Sequence, residues 1–125
     1  MRLLLASLTI LTVAAPAAAQ QMNAETFHQR ATKLKKKGAM AIFSGGEIKA
    51  LMREGQAAGQ ASSARYKAAK EAGRPLPFCP PSGPQKMGST EFMERLAAIP
   101  QAERRKIDMT EATTRIMAAK FPCRA

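Results

Sequence analysis

The chain has 125 residues, with 20 Lys and Arg against 9 Asp and Glu, two Cys, one His and no Trp. That length allows one domain with a modest core. Two distant Cys and the lone His28 give no metal-ligand spacing, Ser44-Gly45-Gly46 lacks the ending of a phosphate loop, and the carboxylates are scattered, so composition leans away from an enzyme and calls for no metal or cofactor.

Taken in order, the chain opens with Met1-Arg2, an apolar run Leu3–Ala15, then Pro16 and Ala17-Ala18-Ala19. A short basic start, an apolar core and an Ala-x-Ala ending read as a secretory signal peptide over 1–19, with cleavage near Ala19. Pro16, Gln20, Gln21 and Asn23 cut the run short of the roughly 20 residues a membrane span needs, so no stable span is expected. Cleavage leaves 106 residues of net charge +10 in the periplasm or outside the cell. Oxidation is the default there, and the two Cys allow one intramolecular bridge, Cys79–Cys123; an intermolecular pair and two free thiols are the alternatives.

Residues 20–44 read as a basic N-terminal helix and a connector. Asn23 is the N-cap of a helix over Ala24–Lys37, Gly38 its stop, and Phe27, Ala31 and Leu34 its apolar stripe. Lys33, Lys35, Lys36 and Lys37 crowd its last turn, favourable for the helix dipole but mutually repulsive. The apolar run Ala39–Phe43 then reads as a buried link. Ser44 and Glu47 have the spacing of a capping box that opens a second helix, to about Ala72 with Gly73 beyond. Its inner face is Ile48, Leu51, Met52, Gly55, Ala58, Gly59, Ser62, Tyr66 and Ala69. Gly55 and Gly59 each cost helix propensity, roughly 1 kcal/mol against Ala, and close approach of another helix is the expected offset.

The proline-rich stretch Arg74–Pro84 forbids regular structure and is pinned at Cys79. Ser89 caps a third helix to about Ala98, with Phe92, Leu96 and Ile99 as its stripe; Pro100 stops it, and one further turn follows. Asp108 and Glu111 form a second capping box for a last helix to about Lys120, with Met109, Ala112, Ile116 and Met117 inward. The expectation is an all-α domain of about four helices, stapled by one disulfide.

Phe78-Cys79-Pro80-Pro81, a short helix ending Ile99-Pro100, a helix containing Ala112, and Phe121-Pro122-Cys123 together resemble the Rap/Tai family of small immunity proteins, over about residues 45–125. The Gly55…Gly59 pair lies where that family has a Gly-x-x-x-Gly helix. The resemblance implies a periplasmic, helical, often dimeric protein that protects against type VI secretion effectors, the known ones being cell-wall amidases, by plugging the effector's cleft. Extra Cys around the second helix, present in many members, are absent here, and Gln56 stands in a Tyr position.

Three functional expectations follow. The first is a binding protein, a homodimer in the family's manner, that occludes an acidic partner; Leu76 and Phe78 on the proline-rich loop and Lys33, Lys35, Lys36 and Lys37 are its candidate contacts, with the loop as plug or as mere connector. The alternative is a basic periplasmic protein that binds lipid head groups or cell-wall polymer through the stripe of the first helix. No nucleic-acid partner is expected, because an exported chain with few aromatics lacks a stacking platform. An enzyme is the third and weakest reading.

Overall fold

Asn23 starts the fold with both ends of its side chain. In a computed structural model that describes residues 21–124, its Oδ1 accepts from the backbone N–H groups of Glu25 (2.9 Å) and Thr26 (3.3 Å), capping helix α1 (Ala24–Lys37). Its Nδ2 donates to the carbonyls of Arg105 and Ile107. Ala24 N–H donates to Ile107 O and Met109 N–H to Met22 O, so residues 22–24 and 107–109 form a short antiparallel clasp. The clasp sets the N-terminus of α1 beside that of α5 (Met109–Lys120). The expected signal peptide over 1–19 and its cleavage point lie outside the described residues.

Helix α1 belongs to the core. Ala24 and Phe27 are buried in one cluster with Leu51, Ala58, Leu96, Met109, Ala112 and Ile116, and Ala31 and Leu34 pack against it. The stripe read as free for an interface is thus largely spent on folding. Gly38 stops α1 at φ +53°, a conformation that glycine adopts at least cost. The run Gly38–Ser44 then forms a 3₁₀ turn, and it is not the expected buried link: none of its residues is buried. Helix α2 (Gly45–Glu71) follows. Its predicted capping box does not form. Ser44 Oγ accepts from Lys37 Nζ (3.0 Å), and Glu47 takes a two-pronged contact from Arg30, at 2.6 Å on each oxygen. A guanidinium that fits both carboxylate oxygens outcompetes a single backbone amide.

The main packing of α2 is against α5. Ala58 and Ser62 are the buried positions of contact, and Ser62 Oγ lies 2.9 Å from Thr114 Oγ1. Thr114 gives its one proton to Thr110 O, so Ser62 is the donor. Helix α5 buries Thr110, Thr113 and Thr114 beside Met109, Ala112 and Ile116. The close approach therefore falls beside the glycines and not at them. A Cβ built on Gly55 or Gly59 would meet nothing within 4 Å, which corrects their reading as a helix-packing pair. Asp108 Oδ1 accepts from Glu111 N–H (2.8 Å), as the second capping box requires. Glu111 itself turns away, to Arg65 and Arg115.

The proline-rich loop folds back along α2. Gly73, at φ +64°, ends the helix, and Arg74 N–H donates to Ala69 O. Phe78 then stacks on Tyr66, ring centroids 5.2 Å apart, and only 4% of it is exposed. Cys79 N–H donates to Phe121 O, and Cys79 is bonded to Cys123, with Cα atoms 4.9 Å apart. That bond closes a loop worth about 4 kcal/mol on chain entropy. Helix α3 (Ser89–Ala98) and the single turn α4 (Gln101–Arg104), hinged at Pro100, complete the chain. The fold is all-α, four long helices and one disulfide, with no strand among the described residues.

Candidate binding surface

Three elements enclose an apolar groove of about 480 Å³. Phe27 and Ala31 come from α1, Leu51, Met52 and Gly55 from α2, and Phe92 and Met93 from α3, with Met87 just before it. Phe27 and Phe92 meet edge to face at 6.2 Å in the lining. Gly55 contributes by lacking a side chain, since the space a Cβ would fill is open. Met52 was expected on the inner face of α2, but it is 59% exposed and forms part of the rim. Methionine side chains are flexible and polarizable, so such a rim adapts to an apolar guest.

Electrostatics differ from one side of the groove to the other. The four lysines all lie in solvent but do not form one patch. Lys35 and, on the facing helix, Glu94 line a depression between α1 and α3 that shares Ala31, Ser89 and Met93 with the groove. Lys33 and Lys36 border a second depression, over Glu25 and Arg104. Lys37 reaches Ser44. Helical spacing accounts for the split, because positions 33, 35, 36 and 37 spread over about 200° of the outward side of α1.

Beneath Lys33 and Lys36 lies a buried ion pair that composition could not disclose. Arg104 Nε donates to Glu25 Oε2 (2.7 Å), with both side chains 8% exposed. Gln29 and Gln101 each donate to Glu25 Oε1, and Arg104 also donates to the carbonyls of Ala97 and Ile99. The Arg104 hydrogen bond holds the Glu25 carboxyl below its ordinary range, against the opposing effect of burial. Nearby, burial and the Arg104 charge push His28 down, with Glu25 opposing, so the neutral imidazole is favoured. This network joins α1 to α4 and the end of α3. Its members also floor the depression that Lys33 and Lys36 border, but their hydrogen bonds are made to one another and to the backbone.

The loop residues fare differently from expectation. Phe78 is sealed against Tyr66 and cannot meet a partner, and Leu76 is half-buried beside it. Gly59 lines a shallow dent that adjoins the groove at Gln56, a polar residue lining both. Among the described residues no three His, Cys, Asp or Glu side chains converge, and no helix is long and apolar enough to cross a membrane. No family model, curated protein or solved structure matches the chain.

The prominent apolar exposure was missed in the sequence. Met40, Ile42 and Phe43 are 63%, 76% and 77% exposed. A 3₁₀ turn repeats every three residues, so Ala39 and Ile42 form one row and Met40 and Phe43 a second. Ala41 and Ser44 make the third row, and they alone in the turn are half-buried.

Proposed function

We propose that the chain is an exported binding protein that occludes an acidic partner, and that the groove between α1, α2 and α3 is where the partner docks. The observation that carries this reading is that groove, apolar inside, methionine at its rim, with Lys35 beside it. Lys35, together with the high net positive charge of the chain, would steer an acidic partner into contact. The resemblance to Rap/Tai immunity proteins adds the partner class, a secreted cell-wall-degrading effector, and the periplasm as the place of action. The Cys79–Cys123 bond fits an oxidising compartment. A homodimer, which the same resemblance implies, would carry two grooves. The proline-rich loop serves as a connector in this reading, because its phenylalanine is committed to the core.

The test is capture from the native extracytoplasmic fraction with the oxidised protein as bait, at low salt and at about 0.5 M salt. A stoichiometric acidic protein that persists at high salt is the expected result, and its hydrolytic activity should fall on addition of the bait. Met52→Glu places a carboxylate on the rim without disturbing the core, and it should abolish capture with the melting temperature unchanged. Retention of wall polymer alone, or capture indifferent to Met52→Glu, would overturn the assignment.

A further inference from the structure

The 3₁₀ turn Gly38–Ser44 lies outside the groove's lining and has no role in the occlusion reading. Its two outward rows place Met40, Ile42 and Phe43 on a convex tip between the end of α1 and the start of α2. Isolated exposed apolar side chains need no explanation, but three large ones on adjacent rows of one turn form a patch. The tip is braced: Lys37 Nζ reaches Ser44 Oγ across it, and the Arg30–Glu47 contact ties its flanking helices together. On its α1 side the charge has one sign. From Thr26 to Gly46 the chain holds Arg30, Lys33, Lys35, Lys36 and Lys37 and no Asp or Glu. None of the four lysines is in an ion pair among the described residues, and they line the outward side of the end of α1 behind the tip, opposite its core-facing stripe.

We propose that this turn is a docking tip for an anionic lipid bilayer: Ile42 and Phe43, with Met40, enter the head-group region while the lysines on the outward side of α1 lie over the lipid phosphates. The occupant follows from charge complementarity and from shape. Apolar rows that face outward in two directions suit a fluid apolar layer, which closes around a protruding tip, and an arc of unpaired lysines suits a plane of phosphates. Insertion by three side chains is shallow and reversible, with each lysine near the surface adding roughly fivefold in affinity at low salt. The device differs from an amphipathic helix lying flat, because the apolar stripe of α1 is already packed against the core.

Cosedimentation of the full-length exported protein with vesicles tests the assignment. Binding is expected to equimolar phosphatidylglycerol and phosphatidylcholine, and none to phosphatidylcholine alone, with loss as salt rises. The pair Ile42→Ser and Phe43→Ser should reduce binding tenfold or more, and Lys35→Gln with Lys36→Gln should reduce it comparably at low salt. Both sets lie in solvent, so unchanged circular dichroism and melting will mark them as folded. Three results would overturn the proposal: no binding to either vesicle, binding unaffected by the tip variants, or a dimer that those variants dissolve, which would make a second copy the occupant. Met52→Glu should leave vesicle binding intact, so failure of the groove reading and failure of the tip reading are separable.

Discussion

The proline-rich loop Arg74–Pro84 and the 3₁₀ turn Gly38–Ser44 both join helices and both carry large apolar side chains, yet Phe78 keeps 4% of its surface in solvent and Phe43 keeps 77%. Hydrophobicity does not separate them, since the residue type is the same. What separates them is return. The loop is tied at Cys79 to the chain's end, lies along α2, and finds Tyr66 as a platform. The turn packs chiefly against its own flanking helices, and its inward row is Ala41 and Ser44, too small to bring the larger side chains with it. An apolar connector is buried when a third element covers it, whatever its composition.

Truncating each phenylalanine would break or sharpen that contrast. Phe78→Ala should cost about 4 kcal/mol, the usual range for an aromatic removed from a packed site. Phe43→Ala should change stability by less than about 0.5 kcal/mol, as surface substitutions do. Urea midpoints of the two variants, read at equal slope, measure both. Comparable losses would show that the turn is covered in solution after all.

A second contrast lies between ion pairs. Glu25–Arg104 is buried, whereas Arg65–Glu111 and Arg115–Glu103 are open to solvent. Glu25→Gln leaves the Arg104 charge buried without its counterion and should cost about 3 kcal/mol at neutral pH. The sign with pH follows from its lowered pKa. The unfolded chain takes up a proton near the ordinary value of 4.5, and the folded chain does so only lower. Stability from this pair is therefore complete above that value and drains away as pH falls through the native one. Melting between about pH 7 and about pH 3 should drop less steeply in Glu25→Gln than in the parent. Equal slopes would assign the acid sensitivity to other lowered carboxyls, Glu91 and Glu111 among them.

Much of the architecture was legible because its signals are local. Asn23, Gly38, Gly73 and Asp108 each act on the backbone within a few residues, and the helix limits they predict are those observed to within a residue. Readings that needed a tertiary partner failed where the partner was guessed. Ser44 and Glu47 had the right spacing, but Arg30, seventeen positions upstream, offered Glu47 a stronger bond. Five apolar residues after Gly38 read equally as a buried link or an exposed turn, because a short run carries no clear period. The groove was invisible for another reason: its lining comes from three helices, none of which marks it alone. The lysines and their spread over α1 could be found by charge and helical spacing, but not the depressions they border.

The glycines offer the smallest effect and a test of sign. Gly55 and Gly59 sit inside α2 with ordinary helical backbone, and no atom stands within 4 Å of a Cβ at either. Ala at each position raises helix propensity and restricts the unfolded chain, with no clash to set against either gain. Gly55→Ala and Gly59→Ala should therefore each stabilise the fold by about 0.5–1 kcal/mol, seen as a higher melting temperature. Destabilisation would mean that something approaches this face in solution, and a dimer is the first candidate. The two need not behave alike in binding, since Gly55 opens the groove and Gly59 does not line it. A stabilised Gly55→Ala that captures its partner less well, beside a stabilised Gly59→Ala that captures it fully, would explain why a costly glycine stands in the middle of a long helix.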